Sequence, residues 1–295
     1  MTEHRTRSSK SGSENVSRPS LVEQSSAARQ AAQLKAARSV SAGRPSPASE
    51  DEDAPELLLA RAIKTDVARD KRALAERGLR LNAEGDEELE CLLLRQVYLA
   101  ALEEERFEEA LDLADRMIEL GELGDVARQD AARACLALGD VDAAVGHLRI
   151  AGRVSPPSRR AFHDWTLGTV LYLDGRPADA ILALSRAARW ATTQKPLYEA
   201  LLALARHASG QAVPDLAELR SQLEDSSCVM GYGELVLGEL CAHLGDHQAA
   251  QRHLRSFVER VAQSRRAKTL TLTAELKHAT RLLQRLGSNL PPQNA

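Results

Sequence analysis

Aromatic side chains make up only 3% of the 295 residues: two Trp, four Tyr and three Phe. Strand-favouring runs of aromatic and β-branched residues are correspondingly scarce, which excludes an all-β sandwich or a parallel-sheet nucleotide fold. Charge of one sign is lacking too. Lys and Arg number 39 against 42 Asp and Glu, a net charge of −3. No overall positive field therefore exists to gather nucleic acid. No apolar run approaches the roughly 18 residues of a membrane-crossing helix. Residues 1–20 are polar and basic and lack the apolar stretch of a secretory signal. The first cysteine, Cys91, comes too late for an N-terminal lipid anchor, and Cys135, Cys228 and Cys241 form no CxxC pair with it or each other. Scattered thiols of this kind fit small buried side chains in a reducing compartment, so a cytoplasmic protein is expected.

What is abundant is helix former. The chain holds 48 Ala and 45 Leu, about a third of its length, so an all-α fold is expected. Arg outnumbers Lys 32 to 7, a bias that fits a GC-rich bacterial genome rather than guanidinium chemistry.

The N-terminal part differs in character from the rest. Residues 1–49 hold 12 Ser and no aromatic residue. Beyond alanine and Met1, their apolar residues are Val16, Leu21, Val22, Leu34 and Val40. That is too little apolar surface to offset the entropy of ordering, so residues 1–54 read as a disordered Ser/Ala/Arg-rich tail. Within it, the Ala-rich stretch Leu21–Arg38 is able to turn helical on contact with a partner. The acidic run Glu50–Asp53, followed by Pro55 and Glu56, reads as a helix start. A capping helix from about 56 to 80, or half of a degenerate repeat, is expected within 55–90.

A fixed period organises residues 91–264. The tripeptides LGD (138–140), LDG (173–175), ASG (208–210) and LGD (244–246) end helical patterns, and their glycines Gly139, Gly175, Gly210 and Gly245 lie 36, 35 and 35 apart. One period before Gly139 stands Glu105. Five units result, starting near Cys91, Asp125, Ala161, Pro196 and Gly231. Seven residues before each turn come Tyr98, Ala132, Gly168, Ala203 and Gly238. Five after it come Ala110, Ala144, Ala180, Asp215 and Ala250, and nine after it Ala114, Leu148, Leu184, Leu219 and Leu254. Small residues let two antiparallel helices approach closely, while large ones fill the space between stacked units.

The Leu-Gly pairs at 167–168 and 237–238, the turn glycine, then Ala180 or Ala250 and Leu184 or Leu254, resemble the tetratricopeptide repeat family. Pro156 falls where that family often ends its second helix. The first unit lacks the turn glycine, and the fourth has Asp215 in place of alanine. The resemblance implies an all-α, right-handed superhelical solenoid of antiparallel helix pairs. A C-terminal capping helix at 265–287, expected as one amphipathic segment stopped by Gly287, and a frayed tail at 288–295 would close it.

Catalytic chemistry is not legible. GYGELVLG, with Gly231, Gly233 and Gly238, is preceded by no strand and has the wrong spacing for a dinucleotide loop. No GxSxG and no HExxH occurs. Cys241, His243, His247 and His253 cluster in sequence, but the Gly245–Asp246 turn breaks the shared face that a zinc site needs. His163, Asp164 and Trp165 point apart on a helix, so surface solvation is the expectation for them. The basic clusters Ser158–Arg160, Arg265–Arg266 and Lys268 read as helix-end or loop cations rather than a nucleic-acid footprint. No catalytic residue, metal ligand or cofactor is expected, and the chain is expected not to be an enzyme.

In proteins resembling this family, the first helices of the units line a concave groove. Carried over, the groove positions are Arg95 in the first unit and Gln129 and Arg133 in the second. The third supplies Phe162, Trp165, Thr169 and Tyr172, the fourth His207, and the fifth Tyr232 and Glu239. Aromatic anchors flanked by Arg suit a protein or peptide segment held by a few hot spots. The asparagines of the family's clamp for acidic C-terminal tails are missing. The expectation is a cytoplasmic scaffold or adaptor with a protein or peptide partner, no nucleic acid and no membrane insertion, self-association staying open. The rival is a dedicated chaperone or regulator of one client in a secretion, motility or signalling assembly.

Overall fold

The computed structural model describes residues 54–82, 85–213, 215–264 and 266–288. The expected tail, with Leu21–Arg38, and the expected frayed end beyond Ser288 lie outside them. Among the described residues there are fourteen α-helices, a kinked segment at Val229–Gly233 and no strand. The helices are α1 (Pro55–Lys64), α2 (Ala68–Leu81), α3 (Glu87–Glu103), α4 (Phe107–Glu119), α5 (Gly124–Leu138), α6 (Val141–Val154) and α7 (Pro157–Leu173). They continue as α8 (Pro177–Trp190), α9 (Lys195–Ala208), α10 (Leu216–Glu224), α11 (Glu234–His243), α12 (His247–Ala262), α13 (Arg266–Thr271) and α14 (Thr273–Ser288). Short turns reverse the chain within each pair and every helix through α12 packs on its neighbours in sequence, so the array is a solenoid of antiparallel helix pairs.

The turns explain the period. Gly139, Gly175, Gly210 and Gly245 have φ of +86, +78, +72 and +79°, the left-handed conformation that glycine adopts without a Cβ penalty. Glu105 holds the same place in the first pair at φ +58°, so the register survives loss of the glycine. In the two LGD tripeptides the aspartate then caps the next helix: Ala143 N donates to Asp140 at 2.9 Å, and Ala249 N to Asp246 at 3.0 Å.

Close helix approach falls where the small residues stand. A Cβ on Gly168 would lie 2.5 Å from Leu184 Cγ and 3.2 Å from its backbone nitrogen; one on Gly238 would lie 2.6 Å from Leu254 Cγ. Gly168→Ala and Gly238→Ala are each expected to cost about 1–3 kcal/mol through overpacking. That outweighs the roughly 1 kcal/mol that alanine gains in helix propensity. Denaturant melts check this, and a Leu254→Ala background should shrink the Gly238→Ala penalty. Stabilisation by either alanine would show that the contact is slack.

The apolar core falls into two clusters divided at α5. Ala127, Ala131 and Ala134 face the cluster built from α1–α4, while Ala132 and Cys135 face the one that runs on to Leu286. All four cysteines are free and buried.

Three local readings are corrected. The expected helix over 56–80 is two helices, because the chain goes extended at Thr65 and Val67 and α1 folds back on α2. The expected helix over 267–286 is likewise two, α13 and α14, and Gly287 lies within α14. In the fourth pair, Asp215 is not a helix-interior residue but the N-cap of a short α10, accepting from Ala217 N at 2.8 Å. The shifted start puts Leu223, fully buried, where the repeat spacing alone places Gln222. The GYG segment is a kink in the backbone: Gly231 has φ +76°, and a Cβ on Gly233 would lie 2.0 Å from the Cys228 carbonyl oxygen. Those glycines serve backbone geometry.

Candidate functional site: the inner wall and its occupant

The first helices of the five pairs, α3, α5, α7, α9 and α11, form one wall. The chain after the fifth pair turns back across it. Helix α13 packs on α3 and α5, and α14 on α7, α11 and α12. A segment beyond the last pair can touch the first two only if the array curls around it.

Most of the ten expected groove residues therefore meet protein more than solvent. Arg95, Gln129, Trp165, Thr169, Tyr172, Tyr232 and Glu239 are buried, Arg133 and Phe162 are half-buried, and His207 is exposed beside His243, their rings 4.6 Å apart. Nine of them lie on the first helices α3, α5, α7, α9 and α11, and Tyr232 lies in the segment leading into α11.

Two kinds of contact hold the middle of the wall. The first is an aromatic column across three units. Trp165 stacks on Tyr198 at 5.6 Å and meets the edge of Tyr232 at 4.7 Å, with Phe162 and Phe257 each 6.4 Å from one of its members. Tyr198 is absent from the groove positions carried over from the family. The second is a polar knot with α14. The Tyr172 hydroxyl donates to Glu239, whose other oxygen lies 3.1 Å from His278 Nε2; the Tyr232 hydroxyl donates to Glu275 at 3.4 Å. Burial, then Glu239, pushes the Tyr172 hydroxyl up; burial foremost does the same to Tyr232. Burial pushes the Glu275 carboxyl up to about 7, although its backbone, Tyr232 and His278 all pull the other way. The segment from Leu272, at the joint before α14, carries an apolar stripe on through Leu276, Ala279, Leu283 and Leu286, at alternating steps of four and three residues.

Polar clamps between units consume several residues that looked available. Arg95 Nε donates to the fully buried Asp130 at 2.7 Å, and Arg133 to its other oxygen at 2.9 Å. His163 and Asp164 are buried, which corrects the expectation of surface solvation. His163 Nε2 lies 2.9 Å from Asp125, and Asp164 accepts Arg186 at 2.6 Å. Arg159, expected as a helix-end or loop cation, sits in the first turn of α7 and pairs with Asp125 through two 2.7 Å bonds. Arg160 donates to the Ser155 carbonyl at 3.3 Å. Arg265 and the side chains of Arg266 and Lys268 lie outside the described residues.

No family model matches the chain, and no curated protein matches its sequence. A solved structure described as "Structure of Naa15/Naa10 bound to HypK-THB" is similar in its helical course, with a TM-score of 0.35 and 14% sequence identity over 93% of this chain. The chain spans 41% of that solved chain's length.

Of the groups weighed for zinc, Cys241 and His253 do come together, joined by Glu224, with one ligand atom from each lying within 4.8 Å of the others; His243 and His247 stay outside the cluster. Arg220 already donates to Glu224 and to Asp246, each at 2.9 Å. A guanidinium thus engages the carboxylate that a metal would need, and burial pushes the Cys241 thiol up, against thiolate formation. Among the described residues, no helix is long and apolar enough to cross a membrane. The chain is a helical-repeat array whose first helices are partly covered by its own C-terminal segment.

Proposed function

We propose that the protein is a non-enzymatic tetratricopeptide-repeat scaffold or adaptor that holds a helical segment of a partner protein against the wall of first helices. One observation carries this reading. The wall already meets a helix of this chain, α14, which packs on α7, α11 and α12 and reaches the wall through the Tyr172–Glu239–His278 and Tyr232–Glu275 contacts. Helix-in-groove recognition uses the same elements. The tight Gly168–Leu184 and Gly238–Leu254 approaches support the family reading. The buried polar groups fit a scaffold, since Asp125, Asp130 and Asp164 each answer an arginine rather than pairing with an accessible nucleophile.

The test is affinity capture with the full chain as bait, then cross-linking mass spectrometry of the captured complex. Partner cross-links should concentrate on α3, α5, α7, α9 and α11. Cross-links confined to the second helices α4, α6, α8 and α12 would overturn the reading.

A further inference from the structure

We propose that the C-terminal segment 266–288 is a releasable ligand of its own inner wall, and that the partner which replaces it is itself an amphipathic helix. The inference rests on the groove reading above and specifies its partner class. That helix would carry apolar residues at i, i+4, i+7, i+11 and i+14, as Leu272, Leu276, Ala279, Leu283 and Leu286 do. It would flank them with a hydrogen-bond acceptor for Tyr232 and a basic group for Glu239, the roles that Glu275 and His278 fill.

Three observations favour release over a permanent core role. Among its described side chains, α14 buries Ala279 and Leu286 fully, whereas the equally helical α9 buries eight of 14 residues. Elements with few buried apolar contacts open first. On the α14 side of these contacts His278 is partly exposed, so water can replace its bond to Glu239. The wall side of the same contacts, Tyr172, Tyr232 and Glu239, is buried beneath α14 and is left needing new partners when it departs. An uncovered wall of that composition favours an incoming helix of matching chemistry over open solvent. The joint between α13 and α14 at Leu272 provides a place for the chain to swing.

Two measurements on the full chain decide the matter. Native-state hydrogen exchange should show the α14 amides exchanging at least roughly tenfold faster than those of α9 and α11. The second probe is a fluorescein-labelled peptide of residues 270–288 added in trans. The double variant Glu275→Ala/His278→Ala, which weakens the cis helix without touching the wall, should bind the peptide roughly tenfold more tightly than the wild type, the size expected from two lost polar contacts. A peptide carrying Leu276→Asp and Leu283→Asp should not bind. Exchange of α14 only together with α11, or equal peptide binding by wild type and double variant, would overturn the proposal. The outcomes separate the two readings. If the double variant takes up the peptide yet captured partners cross-link to the second helices, the groove assignment fails while the releasable helix stands. If partners cross-link to the wall but the double variant excludes the peptide, the reverse holds.

Discussion

Asp125→Ala lowers the melting temperature by roughly 6–12 °C at pH 7, the expected result of losing about 3 kcal/mol from a buried ion pair. The carboxylate stands in the first turn of α5, where the helix dipole favours a negative charge. It accepts both Arg159 bonds and lies 2.9 Å from the fully buried His163, so it ties the second pair to the third. Alanine leaves the His163 and Arg159 nitrogens without this acceptor; Arg159 is partly exposed, which places the cost at the low end for such pairs. Burial alone would raise the Asp125 pKa, but His163 and Arg159 outweigh it and hold the carboxyl at about 2, below its ordinary 3.8. A depressed folded-state pKa means that the stabilisation is complete above about pH 4 and fades as pH falls through about 2. The gap between wild type and variant should therefore be wide from pH 7 to pH 4 and close toward pH 2. Thermal melts by circular dichroism across that range check it. A gap that stays constant would show that the side chain acts through shape rather than charge.

Local rules make the repeat legible, and nonlocal closure keeps the site hidden. A turn glycine, a capping aspartate and a small residue seven positions earlier all act within one unit, so they repeat with the period. Even Glu105, with no glycine to mark it, falls in register at φ +58°. The fourth pair departs because the Asp215 cap starts α10 late, whereas the repeat spacing alone assigns that aspartate to a helix interior. Part of the clamp network is also within reach of the sequence. Arg95–Asp130, Asp125–Arg159 and Asp142–Arg176 are opposite charges 34 or 35 residues apart, one repeat period, which is the spacing expected of groups that face each other across stacked units. Nothing comparable marks the contact of α13 with α3, more than 160 residues earlier in the chain. That contact depends on how far five units curl, a property summed over every interface and carried by no single motif. The carried-over positions therefore lie on the first helices, Tyr232 just before α11, while their cover stays unseen.

Trp165→Ala is expected to cost about 3–5 kcal/mol, a loss of roughly 6–20 °C in melting temperature. Only 4% of Trp165 is exposed, and its ring joins three consecutive units: α7 through itself, α9 through Tyr198 and the segment leading into α11 through Tyr232. Such a ring contributes its buried area and, beyond that, the geometry of stacked and edge-on aromatic pairs. Truncation opens a cavity between helices that α14 also covers, so the damage should spread to α14 and appear as faster exchange there as well as in α9 and α11. Tyr172→Phe makes the contrast. It keeps the ring beside His278 and removes only the hydroxyl that donates to Glu239, so the repeats should hold their melting temperature while α14 loosens. The pair of variants separates a side chain that builds the wall from one that grips what lies on it. If Trp165→Ala melts within about 2 °C of the wild type and impairs only partner binding, Trp165 is a recognition anchor and the aromatic column is not what joins units three to five.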